Sequence, residues 1–164
     1  MRIAIFFLTI WTHVAASAQS VGDIPFDPKT DNPKFTLCKE DWVWQGYHLK
    51  TPMDETPKAV AQEFKSKYKY RDEWKNESGL IRVRFLVNCQ GQTDRFRALG
   101  MDDDLNEKNF NDNLVAHVIQ LTREFAWPAR RATPAGVRAQ SQTVDYYHFV
   151  TFSVKNGKLV EIIQ

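Results

Sequence analysis

The chain has 164 residues, which is about the size of one domain. Its 43% hydrophobic content is enough for a packed core, so a wholly disordered chain is excluded. The formal charge of +2 comes from bases and acids interleaved along the chain, which gives no electrostatic footprint for nucleic acid.

The first residues read as an export leader. Arg2 forms a short basic start, Ile3 to Ile10 with Trp11 and Val14 form an apolar stretch, and Ala16-Ser17-Ala18 offers the small-x-small pattern of a cleavage site. Residues 1–18 are therefore expected to be a signal peptide cut after Ala18. The alternative is an uncleaved anchor. As a helix, residues 3–18 would extend ~24 Å, short of the ~30 Å hydrocarbon core of a bilayer, and His13 interrupts them, so cleavage is the reading taken. Periplasmic or secreted localisation follows from it, with no stable membrane span after cleavage.

Export bears on Cys38 and Cys89, the only cysteines. In an oxidising compartment two cysteines in a small domain are expected to bond to each other, and the chain-entropy estimate for a loop of about 50 residues is ~4 kcal/mol. Two free buried thiols are the alternative. Neither cysteine has a CxxC partner, so a thiol catalyst is not indicated.

Residues 19–36 hold three prolines among Asp, Asn and Ser, with no apolar period, and are read as a flexible leader to a single α+β domain over 37–164. From Leu37 to Leu49, Trp42, Val43 and Trp44 allow a strand. Thr56 and Pro57 suit an N-cap and a first helical position, and Val60, Phe64 and Tyr68 recur at helical spacing, which predicts a helix over about 57–70. Ile81, Val83, Phe85 and Val87 alternate with Arg82 and Arg84 in a half-buried strand. The Asn88–Gln92 turn, with Gly91 in a left-handed position, leads into a second strand over 93–99.

Phe110, Leu114, Val118, Leu121 and Phe125 form the stripe of a helix laid on a sheet, and Trp127-Pro128 ends it. Residues 129–144 read as a polar loop. Asn156-Gly157, between Tyr146–Val154 and Leu159–Ile163, is a hairpin signature. The expected order is hairpin, helix, hairpin: an antiparallel sheet with the helix on one face.

These residues resemble the TonB C-terminal domain, in its divergent Bacteroidetes-type forms. Gly79-Leu80-Ile81-Arg82-Val83-Arg84-Phe85-Leu86-Val87-Asn88 followed by Gly91 is similar to the family's first hairpin. The helix ending at Trp127-Pro128 is similar to the family helix. Phe149-Val150-Thr151-Phe152-Ser153-Val154-Lys155-Asn156-Gly157, with Glu161-Ile162, resembles its last strand and terminal turn. The likeness covers about 79–164. Tyr70-Arg71-Asp72-Glu73-Trp74 stands where the family commonly has a Tyr-Pro pair. A cleavable leader and a short linker stand in place of the family's membrane anchor and Pro-rich spacer. The resemblance implies a protein-binding module whose partner is an outer-membrane TonB-dependent transporter. The site it implies is the strand Phe149, Val150, Thr151, Phe152, Ser153 and Val154, which would take an extended peptide by β-strand addition. The competing reading has Phe149 and Phe152 in the core and that edge covered. Homodimer formation through the same edge is a further possibility.

No catalytic motif, phosphate loop or dinucleotide fingerprint occurs, so no enzyme and no cofactor is expected. His48, His117 and His148 lack metal-ligand spacing. The acidic Met101–Glu107 run departs from a calcium loop at Glu107 and Asn113. Asp145 beside Tyr146, Tyr147 and His148 reads as sheet packing rather than acid–base chemistry. The functional alternative is a secreted ligand-binding protein or enzyme with a pocket lined by Trp42, Trp44, Trp74 and Trp127.

Overall fold

The computed structural model describes residues 24–49, 57–133 and 141–164. The expected leader 1–18 and the N-cap Thr56 lie outside them.

The strands are β1 (Trp44–Gln45), β2 (Gly79–Val87), β3 (Thr93–Met101), β4 (Arg130–Ala132), β5 (Gln142–Val144), β6 (Tyr146–Lys155) and β7 (Lys158–Ile163). The helices are α1 (Pro57–Lys67) and α2 (Asp112–Glu124), with single 3-10 turns at Gly46–His48 and Asp72–Trp74. The class is α+β. The main sheet runs β1-β6-β2-β3, with β7 on the same side of β6 as β1. All its pairings are antiparallel except β1 with β6, so the sheet is mixed. The expected order of hairpin, helix and hairpin is present, with α1 added beside it.

Alternation along β2 divides the molecule. Ile81, Val83, Phe85 and Val87 are fully buried on one face, against Leu114, Val118 and Leu121 of α2 and Val60 and Phe64 of α1. Each such large apolar side chain contributes about 1.5–3 kcal/mol on leaving water. Phe64 anchors α1, with its ring 5.3 Å from Phe152 and 5.4 Å from Phe125. Asn111 caps α2, its side chain accepting from the amides of Asn113 at 3.0 Å and Leu114 at 3.4 Å. The helix stops at Phe125, which is extended, and Trp127 hooks back by donating from Nε1 to the Thr122 carbonyl at 2.8 Å.

Three segments differ from expectation. Over 37–49 only Trp44–Gln45 is strand, because a 3-10 turn begins at Gly46. The expected loop 129–144 contains the hairpin β4–β5, with Arg130 paired to Val144 and Ala132 to Gln142. Within 19–36, read as a flexible leader, residues 24–36 are seated on the sheet instead. Ile24 is fully buried against Leu86, and Phe35, Leu37, Val43 and Tyr147 complete a second small core on the face opposite the helices. Asp31 clamps this strap by accepting from Arg97 at 2.6 Å. Burial pushes the Asp31 carboxyl upward, but the hydrogen bonds from Arg97 and from the backbone of Asp27 outweigh it, so its pKa lies below the ordinary value.

The Asn156-Gly157 turn has positive φ at both residues, 50° and 72°, as a type I′ hairpin requires. It is also wedged: Gly157 donates to the Glu77 carbonyl at 2.8 Å and accepts from the Tyr68 hydroxyl at 2.7 Å. A β-carbon on Gly157 would lie 2.5 Å from the Trp74 carbonyl oxygen. Gly157→Ala is expected to cost about 2 kcal/mol in urea unfolding, combining the left-handed penalty with this collision, whereas Lys155→Ala should stay within about 0.5 kcal/mol. Equal midpoints for the two variants would exclude the wedge.

Candidate functional site

The resemblance directs attention to Phe149–Val154, and the sheet register shows what surrounds them. β2 pairs with β6 throughout, from Gly79 with Val154 to Val87 with Tyr146. On the other edge of β6, β7 pairs with Thr151–Lys155 and β1 with Tyr146 and Tyr147. The expected free edge is thus enclosed, and only His148–Val150 lie between the two flanking strands. The physical cause is the terminal hairpin, which folds β7 back onto the rim that a peptide would need. Val150, Thr151, Phe152 and Val154 are buried, Ser153 is half-buried, and Phe149 is half-buried on the face away from the helices.

The unpaired edges lie elsewhere. That of β3 is partly closed, because Lys108 donates to the Gly100 carbonyl at 2.9 Å and Met101 bridges to Glu107. Arg97 on the same strand holds the strap. The outer edge of β7 carries no backbone hydrogen bond to any described residue other than its β6 partners. Val160 there is 50% exposed and Ile163 42%. Val160 is the extra residue of a bulge, since Ser153 pairs with Glu161 and Val154 with Leu159.

The face opposite the helices has its own pattern. The register aligns Arg97, Arg84 and Phe149 in one row, and Leu99, Arg82, Thr151 and Ile163 in the next. Arg82 stacks over Phe149 at 4.9 Å and donates from Nε to Thr151 Oγ1 at 3.2 Å.

Cys38 and Cys89 are bonded, as expected, and their Cα atoms are 6.1 Å apart. Beside the bond, the buried Asp145 carboxylate accepts from the Lys39 amide at 2.6 Å and the Cys89 amide at 2.8 Å. Asp145 therefore ties the strap and the β2–β3 turn to β6 alongside the covalent link. The three side chains converge as a metal site would, but both sulfurs are spent in the disulfide. A cavity of about 210 Å³ adjoins them, walled in part by Trp42.

The four tryptophans do not share a pocket. Trp42 and Trp44 pair at 5.6 Å, Trp74 is fully buried beside Tyr68 and His117, and Trp127 packs on Phe85 at 4.8 Å. Among the acidic residues 102–107, Asp102 accepts from the amides of Asn106 and Asp104, bonds that hold its pKa below the ordinary value. Tyr146 and His148 face the core while Tyr147 joins the strap cluster, so the Asp145–His148 run is sheet packing.

His148 is the most perturbed group. Its ring sits among Trp127 at 5.2 Å, Phe85 at 5.8 Å and Tyr146 at 6.2 Å, and neither ring nitrogen has a hydrogen-bond partner among the described residues. The Gly46 backbone closes the site, since a β-carbon there would lie 2.7 Å from His148 Nδ1. Burial first, and then the nearby Arg130 cation, hold the His148 pKa down to about 3.

Comparisons with protein-family models, characterised proteins and solved structures give no match to this chain.

The native His148 resists a proton that the unfolded chain accepts near pH 6.5, so stability is full above that pH and is lost as pH falls toward 3. By pH 4 this one group should remove ~3 kcal/mol. Urea unfolding at pH 7 and pH 4 should give a much smaller loss for His148→Phe than for the natural chain. Equal losses in the two proteins would refute the assignment.

Proposed function

We propose that the protein is an exported protein-binding module of the periplasm or cell envelope, acting as a TonB C-terminal-like domain on an extended segment of a partner. The TonB-like pattern of the two hairpins and the intervening helix makes an outer-membrane transporter the first partner to test. The observation that carries the reading is the outer edge of β7, Lys158–Ile163, whose backbone has no further strand among the described residues, with Val160 and Ile163 exposed. An extended peptide laid there gains main-chain hydrogen bonds from the amides and carbonyls the bulge leaves available, and side-chain contacts from Val160 and Ile163. Because β7 pairs with Thr151–Val154 of the expected strand, the receiving strand is taken one position further out than the resemblance alone implies.

One fact fits an envelope setting: the Cys38–Cys89 bond suits an oxidising compartment.

Titration of the 15N-labelled protein with synthetic transporter-box peptides tests the reading. Amide shifts and added exchange protection are expected along 158–163, and Val160→Lys with Ile163→Lys should weaken binding roughly tenfold or more. Shifts confined to 148–150, or none, would overturn it. Self-association at the same edge, seen as a concentration-dependent elution volume with protection at 158–163 in the absence of peptide, would replace it with homodimer formation.

A further inference from the structure

The sheet face opposite the helices is half covered, and the covered half shows what chemistry this face accepts. The strap over 24–36 lies there as a proline-containing segment with turns at 27–31 and 32–35. Its Asp31 carboxylate meets Arg97 at 2.6 Å, its Phe26 ring lies under Arg95 at 5.7 Å, and the Pro25 carbonyl accepts from Arg97 at 2.7 Å. An acid and an aromatic ring, both on arginines, hold one stretch of chain on the sheet.

The uncovered half repeats those features without a covering segment among the described residues. Arg84 stands directly across from Arg97 in the β2–β3 register, a like-charge pairing that costs roughly 0.2–1 kcal/mol unless neutralised. Asp31 neutralises Arg97. None of the ion pairs among the described residues involves Arg84 or Arg82. Arg82 uses its Nε on Thr151 and lies over Phe149, which leaves its two terminal nitrogens without an acceptor among those residues. On the same sheet face as Arg82 and Arg84 stand Leu80, Leu99, Phe149 and Ile163, of which Leu99 is 43% and Ile163 42% exposed.

We infer that this face is a docking site for an extended acidic segment of a partner protein that carries apolar side chains beside its carboxylates. The carboxylates pair with Arg84 and Arg82, and the apolar side chains lie on Phe149 and Leu99. A planar guanidinium matches a carboxylate with two parallel hydrogen bonds, and an arginine already stacked on a ring is held ready for it. A peptide fits better than a nucleic acid because the two cations sit among aliphatic side chains and only one aromatic ring is present for bases to stack on. The site goes beyond edge addition, since Arg82 and Arg84 lie on β2, two strands in from the outer edge of β7.

The test uses the full disulfide-bonded chain with 15N-labelled backbone and arginine side chains. The probes are a synthetic octapeptide alternating Asp with Phe and Leu, its lysine counterpart, and decathymidylate. The acidic peptide should move the signals of Arg82, Arg84, Leu99 and Phe149 and leave 158–161 in place, and the lysine peptide should move none of these. Arg84→Gln should weaken binding about tenfold, the loss of one charge-assisted hydrogen bond, and Leu99→Glu at an exposed position should do so independently. The proposal fails if the acidic peptide does not bind, if it binds both variants as well as the natural chain, if it shifts only 158–163, or if decathymidylate moves these signals more strongly.

Discussion

Nine consecutive residue pairs join β2 to β6, from Gly79 with Val154 to Val87 with Tyr146, and the rest of the molecule hangs on that register. The two strands are far apart in the chain, so closing the loop between them carries an entropic cost that local structure cannot offset. What offsets it is side-chain burial on both faces. Ile81, Val83, Phe85 and Val87 meet Phe152, Val150 and the helices on one side, and Leu86 meets Tyr147 and the strap on the other. A slip of one residue would turn the first set outward and drive Arg82 and Arg84 into the core, so the pairing admits one register.

That central pair also explains the work of the disulfide and Asp145. The strap buries little apolar surface of its own, chiefly Ile24 with half-buried Phe35 and Leu37. Its attachment is reinforced at two points. Asp31 on Arg97 holds it to β3, while Cys38 on Cys89, backed by the Asp145 carboxylate, holds it to the β2–β3 turn. A covalent closure of a loop this long removes several kcal/mol of unfolded-state freedom, ~4 by the entropy model. With the strap in place, Leu86 and Tyr147 are withdrawn from water at the same end of the sheet where β1 pairs with β6.

The parts that were legible in the amino-acid sequence are those with strong local periodicity. The alternation around Arg82 and Arg84, the stripe from Leu114 to Leu121 and the Asn156-Gly157 turn each predict their element with little help from distant contacts, and the disulfide is expected from the cysteine count together with a reading of the first residues as an export leader. The misreadings share one cause, which is that pairing partners are not written locally. Arg130–Ala132 and Gln142–Val144 are too short and polar to signal a hairpin. The strap carries proline and Asp like any linker, yet its Asp31 finds Arg97 across 66 residues. Phe149–Val154 reads as a strand, but whether its rim is open depends on where β7 lands. The Asn-Gly turn already implied that β7 returns along β6, so this enclosure had a visible signal. The arginines of the open face had one too, the polar half of the β2 alternation, but nothing local says that Asp31 reaches Arg97 and leaves Arg84 and Arg82 without an ion pair among the described residues.

Sheet edges in natural proteins are usually blunted, and the two edges here are treated differently. On β3 the chain after Met101 turns back to pair with it, and the strap occupies its other end. On β7 the defences are a single bulge at Val160 and the charges of Lys158 and Glu161, while Val160 and Ile163 remain in water. A bulge bends an edge but leaves its remaining amides and carbonyls available, and two exposed apolar side chains favour association rather than oppose it. The same asymmetry runs across the adjoining face, where Asp31 neutralises Arg97 of β3 and no described carboxylate pairs with Arg84 or Arg82 of β2. Protection is thus concentrated at one end of the sheet, while at the other the β7 rim has no further strand and Arg82 and Arg84 have no ion pair among the described residues.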